Sequence, residues 1–161
     1  MTLKGINLRS IVVAGFVGGY VMTQVDHYLA GMFGMFGMYP DDAWFFVRHH
    51  IDGILFAFLF AWPAVYLRLP GKGWAKGAAY GALLWLAVSV ASGIAGAMGS
   101  FTFSQMPMTT GGLLSAVFLH VVYGFFVGAI YVTPPESNKP EEETFYMFTP
   151  RKRPDMVHHN S

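Results

Sequence analysis

The 161-residue chain contains no cysteine, which excludes disulfides, thiolate-held metals, iron–sulfur clusters and haem attached through thioethers. Charge is scarce as well. Only 12% of residues are Asp, Glu, Lys or Arg, against 54% hydrophobic, about half the charged fraction usual in a soluble domain. Formal net charge is +1, so no bulk field draws the chain to nucleic acid or to an acidic substrate, and no nucleic-acid partner is expected. Proline is nearly missing from the long apolar runs, where Pro63 stands alone. That scarcity argues against the broken helices and inverted repeats of secondary transporters. Any cofactor would have to be held by histidine, methionine or weaker contacts.

What the chain does have is apolar length. Runs over about 10–33, 45–67, 74–98 and 111–132 each reach the roughly 20 helical residues needed to cross a hydrocarbon core. The expected fold is all-α, an integral membrane four-helix bundle built from two tandem helical hairpins over residues 1–133, followed by an extended tail over 134–161. The first run is too long for a cleavable signal and lacks a small-residue cleavage site, so it reads as a retained anchor. Basic residues fall on one side of these spans: Lys4 and Arg9 before the first, Arg68, Lys72 and Lys76 between the second and third, and Lys139, Arg151, Lys152 and Arg153 after the fourth. Arg48 alone lies opposite, with Asp26, Asp41, Asp42 and Asp52. The positive-inside rule then puts both termini in the cytoplasm.

Shifted by 62 positions, the first helix lays Gly15, Gly19, Gly31 and Gly34 onto Gly77, Gly81, Gly93 and Gly96 of the third, a parallel repeat. Gly15/Gly19, Gly77/Gly81 and Gly124/Gly128 are small-xxx-small pairs that allow helix backbones to approach closely. Tight packing is therefore expected among helices one, three and four. Helix two carries Phe45, Phe46, Phe56, Phe58, Phe60 and Trp62 and is expected to face lipid or another subunit.

Histidine is the one strong ligand type available. His27, His49, His50 and His120 are candidate haem b or quinone contacts, because a bis-histidine haem draws its two imidazoles from facing helices at similar depth. His49 and His50 diverge by about 100° on a helix and cannot both face one iron. Within "RHHIDG" they read first as a polar collar where helix two enters the membrane. His120, amid "AVFLHVVYG", needs a hydrogen-bond partner inside the bundle, and Ser89, Ser92, Thr23 or Gln24 are candidates. Asp26 beside His27 makes either a proton-accepting pair or a water-facing helix end.

The tail has five prolines, an acidic run at Glu141–Glu143, and aromatic and basic clusters, a composition that forbids a core of its own. Phe145, Tyr146, Phe148, Arg151 and Arg153 are expected to dock it onto a partner protein.

The second hairpin, with Gly77, Gly81, Trp85, His120, Tyr123 and Gly124 in "KGAAYGALLWLAV" and "LHVVYG", resembles an uncharacterised family of small four-helix prokaryotic membrane proteins. In the first hairpin the histidines stand farther from Tyr66 than His120 does from Tyr131, so the sequence does not pair His49 with His120. The resemblance implies a multi-pass protein of a prokaryotic inner membrane, accessory to respiratory complexes. The expected function is a non-catalytic subunit of an electron-transfer assembly that binds lipid and other subunits and shapes a lipid or quinone environment. The alternatives are a haem b- or quinone-binding protein and a homo-oligomeric pore or small transporter.

Overall fold

Short polar side chains set where the helices begin. Asn7 accepts a hydrogen bond from the Ser10 amide at 3.2 Å and opens α1, Leu8–Tyr28. Asp42 does the same for Phe45 at 2.8 Å and opens α2, Ala43–Ala61. Thr109 caps Gly112 at 3.1 Å at the start of the last long helix. Each satisfies a backbone donor that the first turn leaves unpaired. The computed structural model describes residues 2–3, 5–32, 36–37, 42–99 and 109–134, and the docking residues proposed in the tail, Phe145, Tyr146, Phe148, Arg151 and Arg153, lie outside them.

The second apolar run is broken. Proline disfavours a helical residue before it, and Trp62 takes an extended conformation (φ −60°, ψ 124°) ahead of Pro63, so α2 ends at Ala61 and a single turn, α3 (Pro63–Tyr66), follows. Helix α4 spans Gly73–Ala97 and α5 spans Thr110–Ile130. The first run stops at Tyr28 instead of 33, where the chain turns through Gly31 at φ +79°. Ahead of α1, β1 (Thr2–Leu3) and β2 (Ile6–Asn7) form an antiparallel hairpin that the sequence did not signal. The four long helices are each apolar enough to cross a membrane, and the chain is a multi-pass membrane protein.

Helix α1 packs on both α2 and α5, and α5 packs most extensively on α4. Between α4 and α5 the glycines meet backbone to backbone: a Cβ on Gly77 would collide with the Gly124 carbonyl, and one on Gly124 with that of Gly77. The expectation that helix two stands apart from this close packing is corrected. A Cβ on Gly15 would fall 2.7 Å from the Ile54 Cα and 2.9 Å from the Gly53 carbonyl oxygen. Gly53 and Ala57 thus form a small-xxx-small pair of their own, hidden among aromatics, and it is α2 that occupies the Gly15 face. Gly18 of α1 abuts Tyr123 and Val127 of α5.

The two hairpins use equivalent contacts. Gly15 sits against Gly53 and Ala57 as Gly77 sits against Gly124 and Gly128, and Gly19 sits beside His49 and His50 as Gly81 sits beside His120. The repeat in the first and third helices is real as far as Gly19 and Gly81. Beyond that it lapses: Gly31 belongs to a turn while Gly93 is helical, and Gly34 lies outside the described residues.

Tyrosines join the hairpins. Tyr80 of α4 donates to the Phe56 carbonyl at 2.6 Å, and Tyr123 of α5 to that of Gly53 at 2.5 Å. Toward the end of the bundle that holds Arg9 and Arg68, the interior is apolar and aromatic, with Ile11, Ala57, Phe60, Val127 and Tyr131 buried. There the Lys76 ammonium lies over the Tyr66 ring, 4.5 Å from its centroid.

Candidate functional site

Buried polar residues gather in the other half of the bundle: Thr23, Asp26, His50, Ser92 and Ser115. Most have local partners. Thr23 Oγ1 donates to the Gly19 carbonyl at 3.1 Å and Ser115 Oγ to that of Gly112 at 2.9 Å, the back-bonding by which hydroxyls satisfy themselves inside a helix.

The histidines form the less ordinary part. His50 is the eighth of 19 residues in α2 and His120 the eleventh of 21 in α5, while Gly19, against which His50 packs, is the twelfth of 21 in α1. These side chains therefore lie near the middle of three spans. The collar reading of "RHHIDG" is corrected: Asp42 caps the helix, and the two histidines sit about two turns farther in.

His50 is 4% exposed and enclosed by rings, with Phe46 at 4.0 Å, Phe16 at 4.9 Å and Tyr20 at 6.2 Å between centroids. Its Nδ1 lies 2.7 Å from the Phe46 carbonyl. A carbonyl only accepts, so Nδ1 holds the proton in the neutral ring and Nε2 is a bare acceptor. That atom is buried with no hydrogen-bond partner among the described residues. His120 repeats the pattern, with Nδ1 2.8 Å from the Ala116 carbonyl of its own helix. This bond lies within α5, where the sequence led to an expected tie with Ser89, Ser92, Thr23 or Gln24.

His49 completes the layer. Its ring stacks on Phe45 at 5.4 Å and meets His50 edge-on at 6.0 Å, the divergence expected of neighbouring helix positions. Asp26, His50, Arg48 and His120 all lie within electrostatic reach of it. The two hairpins set His49 and His120 at equivalent places, His49 beside Gly19 and His120 beside Gly81. The signal that could have found it is a repeated His-xxx-Gly, at His49/Gly53 and His120/Gly124, since each glycine seats its helix so that the histidine one turn earlier faces the bundle.

Asp26 is fully buried and accepts from the Gly37 amide at 3.0 Å, an amide delivered by a loop tied at Ala30 and Phe36 and packed by Phe36 on Phe118. His27, one residue on, is exposed. Of the two, Asp26 is buried in the bundle and His27 reaches its surface.

Among the described residues no group of three His, Asp or Glu side chains is arranged to hold a metal ion. The Nε2 atoms of His49 and His50 are closed off from the surface, so a porphyrin or quinone ring reaches neither without displacing the surrounding aromatics. Compared with known proteins, the chain matches no family model, no curated protein and no solved structure.

Proposed function

We propose that the chain is a non-catalytic accessory subunit of a larger membrane assembly, one of the electron-transfer type in a prokaryotic inner membrane with both termini cytoplasmic. The observation that carries the reading is Asp52. It is the tenth of 19 residues in α2, the centre of that span, and it points out of the bundle. A carboxylate at this depth is too short to reach either headgroup region, and a charge facing lipid at a span's centre costs roughly 2.5–3.5 kcal/mol by insertion scales. Arg48, one turn away, is exposed on the same side. Charged residues in spans face protein or water, so protein is the neighbour that suits this face. Tagging the chain and purifying it from native membranes in mild detergent tests the reading. Redox-active subunits should co-purify in fixed stoichiometry, and a chain that emerges alone, with respiratory complexes intact without it, would refute it.

A second reading, binding of haem b or a quinol headgroup by the histidine layer, is favoured by the shared geometry of His50 and His120. A ring whose Nδ1–H is held by a carbonyl presents the Nε2 lone pair, the tautomer that ligates iron or accepts a hydroxyl proton. A Soret band in the purified protein, or quinone in its solvent extract, lost on His120→Ala would support it. The absence of both would leave the layer as protonatable packing.

A further inference from the structure

The outward face of α2 has an order that lipid contact alone does not require. Arg48, Asp52, Leu55 and Leu59 are all exposed, and their spacing of four, three and four residues is the 3.5-residue period that keeps a seam turned toward a parallel partner helix. Val47 and Ile51 flank this seam and are exposed too. The two charges are opposite in sign and one turn, about 6 Å, apart along the axis. The Arg48 guanidinium lies over the Phe45 ring, 5.9 Å from its centroid.

We propose that α2 is the interface with a second copy of this chain, the two helices running parallel about a two-fold axis along the membrane normal. The proposal rests on the accessory-subunit reading and names the partner of the same face. Copies in one membrane share their topology, so their α2 helices can only meet in parallel. A two-fold interface presents the same patch from both sides, and a patch holding one positive and one negative residue a turn apart is its own complement. Arg48 of each copy reaches one turn inward to Asp52 of the other, giving two charge pairs related by the axis. Leu55 and Leu59 pack against their counterparts below them. A polar layer in an otherwise apolar seam fixes register and copy number, which would account for charge at a depth where leucine would insert more readily.

The absence of cysteine makes the test clean. In native membranes, Leu55→Cys should cross-link the chain to itself under mild oxidation, while Leu86→Cys, exposed on α4, should not. In the Leu55→Cys background, Arg48→Asp and Asp52→Arg should each abolish the cross-linked dimer, because each leaves two like charges per copy at the seam. Expressed together, those two variants should restore it as a mixed dimer, a rescue in trans that a pairing within one chain would not give and that also shows both variants to be folded. Failure of the rescue, or cross-linking of Leu55→Cys only to a different chain, would overturn the two-fold dimer; the latter would leave the accessory-subunit reading standing. Cross-linking to nothing would also overturn the dimer, and the accessory-subunit reading would still stand or fall on co-purification.

Discussion

His50 shows most sharply how single residues trade stability against some other property. A buried acceptor without a donor costs about 1–3 kcal/mol relative to an apolar replacement of similar shape, and its Nε2 is such an acceptor. The ring already sits among Phe46, Phe16 and Tyr20, so His50→Phe keeps most of the contacts. The expected outcome is an unchanged or higher unfolding midpoint in detergent. A clear fall would mean that the 2.7 Å bond to the Phe46 carbonyl outweighs the orphaned nitrogen. Tyr123 behaves oppositely. Its hydroxyl spans the two hairpins to reach the Gly53 carbonyl, and interhelical hydrogen bonds in membranes contribute about 0.6 kcal/mol on average and up to about 1.7. Tyr123→Phe should lower stability within that range, measured by reversible unfolding in mixed micelles, with no change in fold. At this scale the sequence was only partly legible. Ligand chemistry singled out the histidines, and of these His50 is buried. That Asp26 is buried and His27 is not could not, because their side-chain directions depend on where the following loop folds back, and the Gly37 amide that holds Asp26 comes from that loop.

At the scale of elements, close approach of backbones is the main source of specificity. The α4–α5 contact leaves no space at Gly77, Gly81, Gly124 or Gly128, and because the obstructing atoms are backbone, relief requires the helices to separate. Gly81→Leu should therefore cost at the upper end of the overpacking range, about 3 kcal/mol, and should be read as loss of the compact, protease-resistant form. Gly93 is the control on the same helix: nothing lies within 4 Å of where its Cβ would be, and Gly93→Leu should leave that form intact. The Gly-xxx-Gly pairs were visible as sequence because their spacing alone signals a flat helix face. The partner pair Gly53/Ala57 was not, since alanine is common in every span and six bulky aromatics share the segment. The break at Trp62 escaped for a different reason. An apolar run measures hydrophobic length, whereas Pro63 acts on backbone geometry, and the two separate where a span reaches its interface.

The whole molecule is asymmetric end to end, and its sidedness can be tested directly. Arg9 at the start of α1, Arg68 after α3, and Lys72 and Lys76 at the start of α4 gather at one end, with Trp74 and the Lys76–Tyr66 contact at the same level, the aromatic and basic belt expected where spans meet a cytoplasmic headgroup layer. The opposite end begins α2 at Asp42 and α5 at Thr109, and the buried carboxylate and imidazoles lie toward that side. Single cysteines distinguish the ends without disturbing either, because Ala43 is exposed and follows the cap, while Lys72 precedes α4 without any side-chain capping bond. A membrane-impermeant maleimide should label Ala43→Cys in intact cells and Lys72→Cys only after permeabilisation. A single pass separates these two positions: α2 alone lies between them apart from the short α3 turn, and a membrane-spanning helix of 19 residues cannot begin and end on one face of a bilayer. Labelling of both from outside would mean that α2 does not span, and Asp52 would then lie in water, where its exposure requires no partner.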